Sequence, residues 1–208
     1  YSTVRIGDQI WMAENLRYYP GFPDEDNLNL PTEGSTTEPR YYVYGYDGTP
    51  ESIPNASANF VNYGVLYNWP AAMAGATSSS SNPSGVKGVC PDGWHLPSEA
   101  EWMQLTDYVR TPDIADAANK LKETGDTYWI NPSLGVTNEF GFSARGGGSR
   151  QSIVPYYFNL RTLGHWLTTT EAEGGIQVRA AWMQDNSSAG GYNQGDKDFG
   201  ASIRCVKD

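Results

Sequence analysis

A chain of 208 residues with a formal net charge of −10 offers no basic stripe to follow a phosphate backbone, so nucleic acid is excluded as a partner and anionic membrane surfaces are disfavoured. No window approaches the ~18 consecutive apolar residues of a membrane-spanning helix, which predicts no transmembrane segment in this chain. Aromatics at 13%, charged residues at only 18%, and 23 Gly with 13 Pro predict a packed domain of short strands and turns rather than a bundle or a disordered chain. Carbohydrate, peptide and cation partners stay open.

"STVRIGDQIWMAENL" predicts two strands around Gly7-Asp8, because Val4, Ile6, Ile10 and Met12 keep a period of two and Gly in first place suits a type II′ turn. Residues 19–63 are rich in Tyr, Pro, Gly, Asn and acids, with "RYYVYGY" (40–46) the only strand-like run; they read as a long insertion lying against the core. "GVLYNWPAAMAG" (64–75) is apolar enough to be buried and has room for a helical turn, whereas "ATSSSSNPSG" reads as an exposed loop. From Ser98 to Val109 the pattern is that of a helix. Ser98 and Glu101 form a capping box, and Trp102, Leu105 and Val109 share one face. A second helix is expected from Pro112 to Lys122, capped by Thr111, with Ile114, Ala118 and Leu121 inward. After Gly125, "FGFSARGGGSR", "HWLTTTE", "IQVRAAWMQ" and "ASIRCVKD" read as strands or strand pairs. The order predicts a single α+β domain over 1–208 with a mainly antiparallel sheet.

Six stretches carry a family likeness in order: "RIGDQIWMAENL", "YGVLYNWPAAM", "CPDGWHLPSEAEWMQL", "ANKLKETGDTYW", "TNEFGFSARGGGSR" and "SIRCVKD". They resemble the Fibrobacter succinogenes major paralogous domain, a family of secreted and lipid-anchored bacterial surface proteins common in the Bacteroidetes. The likeness covers nearly the whole chain outside 19–63, while "SARGGGSR" and "HWLTTTE" depart from the commoner forms. More distantly, "WHLPSEAEW" and "SIRCVKD" are similar to segments of formylglycine-generating enzymes, a group related to the C-type lectin-like fold. That resemblance implies two helices, a sheet joining the chain ends, and a long loop region carrying ligand sites. It also implies an extracellular or outer-membrane location in a Gram-negative bacterium, with the periplasm as an alternative. A chain beginning at Tyr1 is expected to be a processed product, with room for a lipid anchor upstream.

Cys90 and Cys205 allow one bridge, and C-type lectin-like domains have a disulfide in a comparable place. The competing readings are two buried thiols, or Cys90 as a nucleophile with His95 as its base. The late cysteine pair of the formylglycine-generating enzymes is absent. His95 and His165, the only histidines, lack partners at zinc-site spacing and read as core-bonded. There is neither a serine elbow nor a phosphate loop, and "RGGGSR" reads as a glycine turn. The lectin tripeptides that ligate calcium are also absent. Calcium stays open only if Asp185, Asn186, Asp196 and Asp198 converge.

Sugar binding by ring stacking favours Tyr156, Tyr157, Trp182 and Tyr192 in the late region, with Asp185 and Asn186 as polar neighbours. The expected function is a non-catalytic surface module that recognises a glycan or a surface protein through its C-terminal half. The alternatives are a structural or adhesion subunit without a small ligand, and an enzyme on a formylglycine-generating scaffold.

Overall fold

The computed structural model describes residues 1–20, 33–49, 53–110, 116–132, 134–151, 156–188 and 190–208. Gly7 takes φ +59° in the first turn position, so β1 (Thr3–Ile6) folds back on β2 (Gln9–Met12) in antiparallel register. After the expected insertion begins, β3 (Tyr41–Tyr42) pairs with β4 (Leu66–Tyr67). Between them lies a helix that the sequence reading did not anticipate, α1 (Ile53–Tyr63). Its asparagines and glycine-free but weakly helical composition hide it; burial of Ala56, Asn59 and Tyr63 on one face supplies the missing drive.

The expected helical turn is α2 (Trp69–Met73), capped by Asn68, whose side chain accepts from the Ala71 amide. The same Asn68 donates to the carbonyls of Ser35 and Glu38 and accepts from the Arg40 amide, which ties the insertion to the core. After β5 (Trp94–His95), α3 (Glu99–Val109) carries both halves of the capping box and buries Trp102, Leu105 and Val109. The serine-rich loop before it is mostly exposed but anchored, because Thr169 bonds both main-chain groups of Ser79. Of the expected second helix, Thr111, Pro112 and Ile114 lie outside the described residues. The described part is α4 (Ala117–Leu121), with Ala118 and Leu121 buried as anticipated.

The remaining strands are β6 (Gly147–Arg150), β7 (Tyr157–Leu160), β8 (Leu163–Glu171), β9 (Gln177–Gln184), β10 (Gly190–Asp196) and β11 (Val206–Lys207). They build a five-stranded sheet ordered β10-β9-β8-β6-β7, parallel only between β6 and β8. A second sheet, β1-β2-β11-β5, brings the first strands beside the last. The molecule is therefore α+β with a mainly antiparallel sheet content, as expected. Among the described residues no helix is long and apolar enough to cross a membrane.

Two polar groups in the quoted motifs turn out to be internal joints. Asn15 accepts from Trp166 Nε1 and Arg204 Nε and donates to the Tyr63 carbonyl and the Ser202 hydroxyl. Arg204, wholly buried, also donates to the carbonyls of Phe142 and Ser143 and stacks 4.3 Å above the Phe142 ring. Burial pulls its guanidinium down to about 9.

Candidate functional site: a polar trough on the five-stranded sheet

Alternation gives the five-stranded sheet two faces. Trp166, Ala181 and Tyr192 stand in register on one face and join the apolar cluster with Trp102 and Leu105 of α3. His165, Trp182 and Gly191 form the neighbouring row on the opposite face, followed by Leu167, Ala180 and Asn193. Leu167 and Val178 close one end of that opposite face as part of a second apolar cluster. The rest of that face is polar and open.

There a cavity of about 430 Å³ crosses the sheet, drawing residues from every strand. Ser149 and Gln151 come from β6 and its end, Asn159 from β7, His165 from β8, Gln177 from β9, and 193–196 from β10. Phe199 adds an aromatic wall, with His165 edge-on to it at 5.3 Å between centroids. Asn159 reaches the cavity from within β7 at φ +63°, a left-handed conformation that asparagine tolerates better than most side chains.

His165 is the centre of this floor. Its Nε2 lies 3.2 Å from Asn193 Nδ2, which can only donate, so Nε2 accepts and the neutral ring carries its proton on Nδ1. Burial alone pushes the ring's pKa down to about 4, so it is uncharged at neutral pH. His165 Nδ1 and Asn193 Oδ1 are both buried without a hydrogen-bond partner among the described residues. Each such atom costs about 1–3 kcal/mol unless a water or a ligand reaches it.

The aromatic candidates from the sequence are scattered. Trp182 shares the trough's face and covers Gly191, where an added Cβ would sit 3.0 Å from the indole nitrogen. Tyr192 points the other way, its hydroxyl 3.0 Å from the Thr106 hydroxyl on α3, and burial raises its phenol to about 12. Tyr156 is exposed just before β7, 6.3 Å from Phe158 between ring centroids. Tyr157 stacks on Tyr44 at 5.0 Å, and burial raises its pKa.

Asp185 and Asn186 sit in the β9–β10 turn, where the Asp185 carboxylate accepts from the Asn186 amide. Asp196 ends β10 and Asp198 follows it, so the strand's length of ~20 Å separates the two pairs and the four do not converge. The β9–β10 turn is instead gathered by Lys122. Its ammonium donates to the carbonyls of Gln184, Asp185 and Ser187 at 2.8–3.0 Å, while burial lowers its pKa to about 8. Among the described residues no group of three or more His, Cys, Asp or Glu is placed to hold a metal.

Cys90 and Cys205 are joined in a disulfide, so Cys90 has no thiol to act as a nucleophile. His95 is clamped between two carboxylates, with Nε2 2.6 Å from Glu101 and Nδ1 2.7 Å from Asp208. A larger groove of about 800 Å³ runs between Tyr1, Tyr18, Tyr19 and Tyr41 and the Val89–Pro91 segment. It is walled mainly by tyrosine rings and aliphatic side chains and does not collect buried unpartnered polar atoms as the trough does.

The Fibrobacter succinogenes major domain matches residues 4–207. The chain belongs to that family. Neither a curated protein nor a solved structure matches this family member. The family's "CPDGWHLPSEAEW" stretch supplies half of the disulfide, the capped start of α3 and the His95 clamp, whereas the trough draws on residues between 149 and 199. Sequence reasoning missed the trough's amides because Ser149, Gln151, Asn159, Gln177, Asn193 and Gln194 are adjacent only after five strands pair. The one available signal was the concentration of Asn and Gln on both sides of the "HWLTTTE" strand.

Proposed function

We propose that this member of the Fibrobacter succinogenes major domain family is a non-catalytic binding module that recognises a glycan in the trough of its five-stranded sheet. The observation that carries this reading is the lining. Neutral amide and hydroxyl side chains, which both donate and accept, converge beside an aromatic wall over a floor with unsatisfied polar atoms. That is the donor–acceptor chemistry a polyhydroxylated ligand needs, and the cavity is within the usual range for a small-ligand site. The element order and the pairing of first and last strands are consistent with a C-type lectin-like fold, whose ligand sites lie in the same late region. A buried disulfide agrees with an exported location at the cell surface.

Gln151 and Asn193 test this reading because both line the trough and they come from different parts of the sheet, the end of β6 and the middle of β10, with Asn193 on the face that His165 shares. A glycan array should show binding by the unaltered protein. Gln151→Ala and Asn193→Ala should each weaken any hit about tenfold, with both variants still folded at the assay temperature. Binding that survives the double variant would remove the trough as the site. The tyrosine-lined groove supports a second reading, a peptide or protein ligand held on Tyr1 and Tyr18, since exposed rings there offer apolar area with polar tips. A blank array together with binding lost in Tyr18→Ala would favour it.

A further inference from the structure

The seven tryptophans of this chain divide by their surroundings. Trp69 and Trp94 pack in or against one apolar cluster, and Trp11, Trp102, Trp129 and Trp166 belong to the other. Trp182 joins neither. It is half-buried, and among the described residues it has no ring partner and its indole N–H makes no hydrogen bond. Its place on the sheet explains what holds it. Trp182 stands between Gly191 and His165 on the trough's face, and an added Cβ on Gly191 would sit 3.0–3.1 Å from Nε1, Cε2 and Cζ2, so the indole lies down over the glycine. Gly195, on the same face, is covered in the same way by Phe199, whose Cδ1 and Cγ would stand 3.1 and 3.2 Å from an added Cβ. Between the two glycines, Asn193 reaches the His165 ring. The trough-side row of β10 is therefore ring, amide, ring, with the glycines about 13 Å apart along the strand.

We infer that the binding site continues from the trough onto the outer face of Trp182, and that its ligand is an oligosaccharide long enough to span both rings rather than a single sugar. This rests on the glycan reading above and gives that ligand a length and a direction along β10. A sugar ring carries C–H groups on its faces and hydroxyls around its rim. One unit can therefore lay a C–H face on the indole while its rim stays in water, and the Nε1 proton remains free for a hydroxyl. The units that follow place their hydroxyls on Asn193 and its polar neighbours in the trough, and the far end meets Phe199. A monosaccharide covers one ring or fills the polar middle, since a span of about 13 Å exceeds a single pyranose. Neither apolar cluster gains from an indole at this position, whereas a stacked sugar does.

The discriminating experiment is equilibrium titration with cello-, xylo-, malto- and manno-oligosaccharides, each as disaccharide and hexasaccharide, followed by calorimetry and by indole fluorescence. At least one hexasaccharide should bind, about tenfold or more tighter than its own disaccharide, and its binding should change the indole emission. Trp182→Leu keeps an apolar cover on Gly191 but removes the flat ring, and should weaken the hexasaccharide about three- to tenfold, shrinking the hexasaccharide-to-disaccharide ratio. Trp182→Phe restores a ring, and should recover most of that affinity while losing the emission change. Both variants should stay folded at the assay temperature, because Trp182 lies outside both apolar clusters. If disaccharide and hexasaccharide bind equally, or if hexasaccharide binding ignores Trp182→Leu, the ring only covers the strand: the inference is overturned and the trough reading stands. If no probe binds, both are overturned.

Discussion

His95 shows how a side chain in a family motif can serve the scaffold. Burial opposes its charge, but hydrogen bonds to Glu101 and Asp208 outweigh burial and hold its pKa above the ordinary 6.5. The folded protein therefore binds this proton more tightly than the unfolded chain does. The His95 contribution is complete below 6.5 and is lost as pH rises through the folded value. Denaturant titrations at pH 5.5 and pH 8.5 should thus show the unaltered protein losing more stability on alkalinisation than His95→Gln. Equal losses in the two proteins would mean that the clamp is silent. The two histidines have opposite environments: carboxylates flank His95, while His165 sits beneath the trough with its pKa pushed down. Nothing in the residues adjacent to either one in the chain distinguishes them.

At the scale of the element, α3 concentrates most of the legible information. Ser98 accepts from the Glu101 amide, and Glu101 returns a bond to the Ser98 amide, as the Ser-x-x-Glu spacing predicts. The structure adds that Glu101 also accepts from the Ser84 amide and from His95, so one buried carboxylate joins a helix start, a loop and a strand. Ser98→Ala should then cost about 1 kcal/mol, while Glu101→Ala should cost about 3–5 kcal/mol because it strands several buried partners. Chemical denaturation of the two variants measures the difference, and equal losses would reduce Glu101 to an ordinary cap. Strand β10 is the opposite case. "GGYNQGD" has poor strand propensity, yet it pairs along its length with β9, because Gly191 leaves room for the Trp182 ring. Propensity hid the strand, and with it four consecutive lining residues of the trough.

For the whole molecule, the disulfide is the longest-range constraint. Cys90 and Cys205 are separated by 115 residues, and their bond fastens the segment before β5 to the segment entering β11. Closing so long a loop stabilises the fold by roughly 2–5 kcal/mol, mainly through the unfolded chain. Reduction under native conditions should therefore lower the denaturation midpoint while leaving any ligand binding in the trough intact below that midpoint, since neither cysteine lines the trough. Loss of binding before loss of fold would show that the apolar cluster the two cysteines share with Leu167 and Val178 couples the bond to the trough's sheet.

The sequence by itself determined the α+β class, the β1–β2 hairpin, the limits of α3 and the family. Each of these is encoded locally, in period, capping chemistry or a contiguous motif. The "CPDGWHLPSEAEW" stretch is legible because its residues act on neighbours a few positions away. Only the tertiary structure decided which polar residues meet. His165, Asn193 and Gln151 come together through strand register, and a one-residue slip would send Asn193 to the α3 face in place of Tyr192. Aromatic residues drew attention in the sequence because burial and binding use the same rings. Folding assigned Tyr192 to packing and left the trough to the amides.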